Sequence, residues 1–183
     1  FVCWCHYRYN NFIIHVLWIY LMYQDEINNL AKEIIAIGPK NKVIISTAES
    51  CTGGMIGAAI TSMSGSSTVY DRGFITYSNN SKAELLGIDI NLINQHGAVS
   101  KEIAKLMAEG CLVKSNSNLS VSVTGVAGPG GGTKEKPVGL VHMAIAKKNR
   151  DTINFKFLFG EKSRDEIRKL TTLNALKNLY ENI

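Results

Sequence analysis

The chain has 183 residues, enough for one domain with a proper core and crowded for two. Its composition, 45% hydrophobic and 19% charged with a mean hydropathy of +0.02, excludes disorder, collagen-like repeats and a polytopic membrane protein. Twenty Lys and Arg against fifteen Asp and Glu give +5, a mild excess that suits an anionic small molecule or nucleic acid and proves neither.

Residues 1–21 differ from the rest. They hold both tryptophans, Cys3, Cys5, His6 and His15, and they contain no Gly, Ala, Ser, Thr, Pro, Asp, Glu or Lys. The stretch begins at Phe1 and looks more like upstream translated sequence than a designed segment. Its apolar run, 12–22, is interrupted by His15 and is too short to span a bilayer. Arg8 could open a signal peptide, but no small-residue cleavage site follows. Cys3, Cys5 and His6 have no partner pair at a metal-ligand spacing. The expectation is an atypical flank outside the fold, with a membrane-proximal segment as the alternative, and one working domain at 22–183. That body holds only Cys51 and Cys111, which implies no disulfide framework and a cytoplasmic protein by default.

In chain order, apolar residues at Ile27, Leu30, Ile34, Ile35 and Ile37 predict a helix over 25–37 that Gly38-Pro39 stops. A β-branched strand is expected at 42–46, a helix of small and apolar residues at 55–63, an alternating strand at 69–77 and a short helix at 81–86. A longer helix at 100–114 has Ser100 as its cap and Glu102 in its first turn. A strand at 119–124 runs into the glycine-rich stretch 125–132. Strands at 139–146 and 152–159 fit a hairpin, and a helix at 163–180 closes the chain. This order predicts an α/β fold, a three-layer α/β/α sandwich around a mixed, mainly parallel sheet.

Two loops stand out because both follow strands, where ligands of open α/β sheets bind. The first, Glu49-Ser50-Cys51-Thr52-Gly53-Gly54, precedes a helix. Its backbone N–H groups could hold a phosphate or an oxyanion, or its Ser and Thr could simply cap the helix. The second runs from Thr124 through Gly125, Gly128, Gly130 and Gly131 to Thr133. Glycine this dense lets the backbone approach a ligand, or makes a flexible surface turn. It is neither a Walker A loop nor a GxGxxG entering a helix, so nucleoside triphosphate binding is unsupported.

A serine nucleophile needs a base. Ser50 lacks the GxSxG surroundings of an α/β-hydrolase. His142 lies within a predicted strand and reads as packed. Lysine is the other choice, since burial lowers its pKa, and Lys82 is a candidate beside many solvated lysines. Cys51 reads either as a thiol activated at a helix start or as a small buried filler, the second being favoured.

Four motifs then resemble one family. They are Thr47-Ala48-Glu49-Ser50-Cys51-Thr52-Gly53-Gly54; Arg72-Gly73-Phe74-Ile75-Thr76-Tyr77-Ser78-Asn79 with Lys82; Gln95-His96-Gly97-Ala98-Val99-Ser100; and the 124–133 loop with Lys136-Pro137-Val138-Gly139. In this order they resemble the C-terminal domain of the competence/damage-inducible CinA family, which also occurs alone as nicotinamide-nucleotide amidase, from about Met22 to the end. The resemblance implies deamidation of nicotinamide mononucleotide to nicotinate mononucleotide and ammonia by a Ser50–Lys82 dyad through an acyl-enzyme. It implies an active-site Tyr77 that orients the amine or relays the proton, and a loop threonine, Thr124. Within the same motifs, Glu49 is expected to face the pyridinium or anchor its loop. Cys51, Gly53, Gly54, Asn79, Gly125, Gly128, Gly130 and Gly131 are expected to line the substrate. Thr52, the glycine-rich loop and Arg164 are expected to donate to the phosphate. Family members show a shorter turn before the last helix than Gly160-Glu161-Lys162-Ser163-Arg164, so Arg164 aligns less cleanly. The implied chemistry needs no metal and no cofactor. The implied partner is the small-molecule substrate, with no nucleic acid, no stable membrane association and a homodimer by analogy. The alternative is a non-catalytic pyridine-nucleotide-binding domain. A DNA-uptake role lacks an Arg/Lys stripe interleaved with aromatics.

Overall fold

The computed structural model describes residues 22–183, so the expectations for residues 1–21 lie outside the described residues. Helix α1 occupies 22–37 and buries Ile27, Ala31 and Ile34 along one face. It ends where sequence places the stop, at Gly38 and a short 3-10 turn, Pro39–Asn41. Strand β1 (Ile45–Glu49) follows, then α2 (Met55–Thr61), β2 (Tyr70–Ile75), α3 (Asn79–Leu86), α4 (Ile90–His96) and α5 (Lys101–Val113). Strands β3 (Leu119–Gly125), β4 (Leu140–Lys147) and β5 (Ile153–Leu158) and helix α6 (Arg164–Glu181) complete the chain.

The five strands are ordered β2-β1-β3-β4-β5. β1 pairs in parallel with β2 and β3, and the β4–β5 hairpin adds two antiparallel ladders. Four strands therefore point one way and β4 alone runs against them, which is the mixed, mainly parallel sheet expected. One face carries α1, α2 and α6 over a core that includes Ile45, Ile56, Val121, Met143 and Leu176. The other carries α3, α4 and α5, with Ile93, Ile103 and Met107 at its centre. Against α5 the sheet presents small residues. Ala144 and Ala146 meet Ala104 and Ala108, and Ser120 and Ser122 donate to the carbonyls of Ala108 (2.8 Å) and Ala104 (2.5 Å). A helix carbonyl can accept those hydroxyls only because nothing bulky separates helix from sheet.

Two elements differ from the sequence reading. β1 lies at Ile45–Glu49 rather than 42–46, because the polar Thr47 and Glu49 are buried with their side chains satisfied, Thr47 by Tyr70 and Glu49 by the loop that follows it. Helix α4 went unpredicted. It is one short stretch capped by Asp89, with Ile93 as its single fully buried side chain, too weak a periodic signal to detect.

The topology locates the site. From β1 the chain moves outward to β2 on one side and returns to β3 on the other. That reversal opens a crevice at the carboxyl end of β1, where ligands of open α/β sheets sit.

Candidate active site

Ser50 is the first residue beyond β1. Its N–H donates to Val123 O at 3.0 Å, and Thr76 N donates to Glu49 O at 2.8 Å, so both neighbouring strands hold the turn. Lys82 enters from the first turn of α3, which Ser78 starts through a capping box with Ser81. The lysine is only 1% exposed. Its Nζ donates to Thr76 O at 2.7 Å and to Ser50 Oγ at 3.2 Å, with the carbonyls of Tyr77 and Ser78 each at 3.5 Å. Among the described residues no carboxylate pairs with it. Burial therefore lowers its pKa below the ordinary 10.5.

The loop after Ser50 is built around Glu49. Its buried carboxylate accepts from Thr52 Oγ1 (2.7 Å), Gly54 N (3.0 Å), Ile56 N (3.0 Å) and Gly57 N (2.8 Å). Those donors offset the several kcal/mol that an unpartnered buried carboxylate costs. Of the two roles foreseen for Glu49, anchoring the loop is the one these bonds display. Thr52 is buried and its hydroxyl donates to Glu49. Gly53 (φ +62°) and Gly54 (φ +102°) take left-handed conformations that turn the chain into α2, and Gly53 N donates to Ser50 O at 3.1 Å. Cys51 is buried, and burial pushes its thiol up to about 12 although the N–H groups of Cys51 and Thr52 favour ionisation. It is a thiol at neutral pH and not an activated nucleophile.

Ser50 and Lys82 open onto a cavity of about 220 Å³ whose polar wall also includes Tyr77, Thr124 and Arg164. Ala98, Val99 and Ala127 form its apolar side, with Cys51 and Gly125 between them. The volume exceeds the roughly 150 Å³ that already holds a benzene-sized ring. Thr124 donates its hydroxyl to Ala98 O at 2.8 Å and so fixes one wall. Tyr77 is 60% exposed, and its hydroxyl accepts from Arg164 Nη2 at 2.9 Å. The Tyr77 hydroxyl thus faces Arg164, and only the Tyr77 carbonyl lies near the Lys82 amine. Arg164 Nη1 also donates to Gly128 O at 2.9 Å.

Several expected substrate contacts lie off the cavity wall. Asn79 is exposed in the first turn of α3, and Gly130 and Gly131 stand in open space. Gly53 and Gly54 shape the turn, while Gly128 contributes its carbonyl to Arg164. Sequence reading missed Arg168, whose Nη2 donates to Thr52 O at 2.7 Å and ties the Ser50 loop to α6. Its signal was the spacing of four from Arg164, which places both arginines on one helical face. His142 pairs with Thr124 across β3 and β4 but does not line the cavity. Among the described residues no group of three His, Cys, Asp or Glu could hold a metal, and no helix is long and apolar enough to cross a membrane.

Comparison with known proteins places the chain in a family. Residues 27–183 match the family model of the CinA C-terminal domain. A CinA-like protein of Endomicrobium trichonymphae is 53% identical over 137 residues, 75% of this chain and 32% of that protein. One from Akkermansia muciniphila is 40% identical over 153 residues, 84% of this chain and 37% of that protein. The chain thus spans about a third of the length of these relatives. Among solved structures, the competence/damage inducible protein CihA from Agrobacterium tumefaciens superposes with a TM-score of 0.84 at 46% identity, covering 85% of this chain and 94% of that one. The competence damage-inducible protein A (ComA) from Klebsiella pneumoniae gives 0.81 at 28% identity, over 85% and 95%. With its fold and nearly all its described residues matched, the chain belongs to the CinA C-terminal domain family.

Proposed function

We propose that the chain is a serine amidohydrolase that deamidates nicotinamide mononucleotide. The observation that carries this reading is the 3.2 Å contact between Ser50 Oγ and the amine of a buried Lys82 that has no carboxylate partner among the described residues. A lysine in that setting loses its proton more readily, and its lone pair then accepts the Ser50 proton. The carbonyls around Nζ receive the amine's own hydrogens and aim that lone pair at Oγ.

Ser50 Oγ attacks the carboxamide carbon while its proton passes to Lys82 Nζ. The N–H groups of Gly53 and Gly54 are engaged with Ser50 O and Glu49 and that of Ser50 with Val123 O, which leaves that of Cys51, a residue of the cavity wall, for the oxyanion. When the carbon–nitrogen bond breaks, Lys82 returns the proton to the departing ammonia. Water then attacks the ester, Lys82 takes its proton, and the proton passes back to Ser50 as nicotinate mononucleotide leaves. Arg164 at the cavity mouth is the donor for the phosphate, and the mild positive charge favours an anionic substrate.

The test is to incubate the full chain with nicotinamide mononucleotide and measure ammonia and nicotinate mononucleotide together. Equal release of both is expected. A folded protein that binds the nucleotide and releases neither overturns the assignment in favour of a binding domain.

A further inference from the structure

Tyr77 lies at the cavity wall, yet its hydroxyl is bonded to neither Ser50 nor Lys82. It accepts from Arg164 Nη2 at 2.9 Å, while Arg164 Nη1 donates to Gly128 O at the same distance. This contact joins three segments remote in sequence: the β2–α3 connection, the glycine-rich loop and the first residue of α6. A guanidinium carries five N–H donors in a planar fork. Two of its nitrogens are anchored, the remaining hydrogens are left for a ligand, and the group lines the cavity. Among the described residues no carboxylate pairs with Arg164, since its neighbour Asp165 pairs with Lys169 at 2.8 Å.

We propose that Tyr77 is a positioning residue. Its hydroxyl and Gly128 O hold the Arg164 guanidinium across the cavity mouth, where it takes a phosphate monoester and so selects a phosphorylated nucleotide over the uncharged nucleoside. The identity of the nucleotide rests on the proposed function; the anion-binding role of the strap does not. A proton relay through Tyr77 would need its hydroxyl near Ser50 or Lys82, and the nearest Tyr77 atom bonded to the amine is the carbonyl oxygen at 3.5 Å.

The experiment uses the full chain carrying Ser50→Ala to stop turnover, titrated calorimetrically with nicotinamide mononucleotide, nicotinamide riboside and inorganic phosphate. Tyr77→Phe and Arg164→Gln are each expected to weaken binding of the mononucleotide and of phosphate about tenfold, the loss a hydrogen bond to a charged group produces. The double variant should be no weaker than Arg164→Gln alone, because Tyr77 acts through Arg164, and riboside affinity should stay unchanged. With Ser50 intact, Tyr77→Phe should raise KM about tenfold and leave kcat and its pH profile in place. Undiminished phosphate-dependent affinity in Tyr77→Phe, additive losses in the double variant, or a fall in kcat at constant KM would overturn the proposal. So would a parent chain that binds neither phosphate nor the mononucleotide. A chain that binds phosphate through the strap but releases no ammonia sinks the amidase reading and leaves this one standing. Deamidation indifferent to Tyr77→Phe does the reverse.

Discussion

Ser46 and Ser50 lie near opposite ends of β1, and both are buried and hydrogen-bonded, but only one has the surroundings of a nucleophile. Ser46 sits in a knot of neutral groups, with Ser117 Oγ at 2.7 Å, Cys111 Sγ at 3.0 Å and Ser115 Oγ at 3.1 Å. Burial pushes the Cys111 thiol up to about 12, so nothing in that knot takes a proton at neutral pH. Ser50 meets an amine whose pKa burial lowers, and it is 9% exposed at the wall of a cavity. A buried serine is a structural residue unless a titratable partner and a route for substrate come with it. The Lys82 amine and the crevice at the sheet reversal supply both.

Substitutions that break the comparison should differ in kind. The largest effect is expected for Ser50→Ala, with deamidation falling by about 10⁴-fold or more in an ammonia-release assay. Its thermal midpoint should move by less than about 4 °C, since among the described residues only the Lys82 amine bonds that hydroxyl.

Lys82→Met should follow, with kcat reduced about 10³-fold. Stability should hold or rise, because an apolar chain of similar length replaces a desolvated amine with no carboxylate partner among the described residues. In the parent chain log kcat/KM should climb with pH as Lys82 loses its proton and level off below 10.5, the ordinary value that burial lowers. The linked stability change has a fixed sign. Between the folded-state pKa and 10.5 the unfolded chain binds more protons, so this group's contribution to stability rises with pH across that window. Both trends should vanish in Lys82→Met, as a rate profile and a series of denaturant midpoints would show.

Ser46→Ala should reverse the pattern. It leaves Ser115, Ser117 and Cys111 one partner short and should cost about 1 kcal/mol in denaturant unfolding, with the deamidation rate within about twofold of the parent. Cys51→Ala should be the mildest, retaining most of the rate, because burial pushes its thiol up to about 12 and keeps it protonated at neutral pH beside the working hydroxyl. A large loss of rate there would move the nucleophile one residue along.

What sequence disclosed was mostly local. Ser100 capping α5, the β4–β5 hairpin and the stop at Gly38 depend on neighbours in the chain, and all three are present. The approach of Ser50 to Lys82 was also readable, but only through the motifs shared with a family, since spacing alone left Lys82 one lysine among many. What stayed hidden depends on partners far away. The end of β1 beyond Ser46 looked like a loop because Thr47 finds Tyr70 only after folding. Glu49 read as a possible substrate contact or a loop anchor, and its two loop donors and two α2 donors converge on it only in the folded turn. Arg168 and the Tyr77–Arg164 bond each join α6 to a segment on the far side of the sequence, and no local pattern announces such a contact.

The central claim is that Ser50 forms the covalent intermediate with Lys82 as its base. The most direct measurement is peptide mapping by mass spectrometry on the full chain, quenched with acid during turnover of nicotinamide mononucleotide. The account predicts the substrate's acyl group esterified to Ser50, and no such adduct in Ser50→Ala. An adduct on Cys51, or ammonia release by Ser50→Ala at the parent rate, would contradict it.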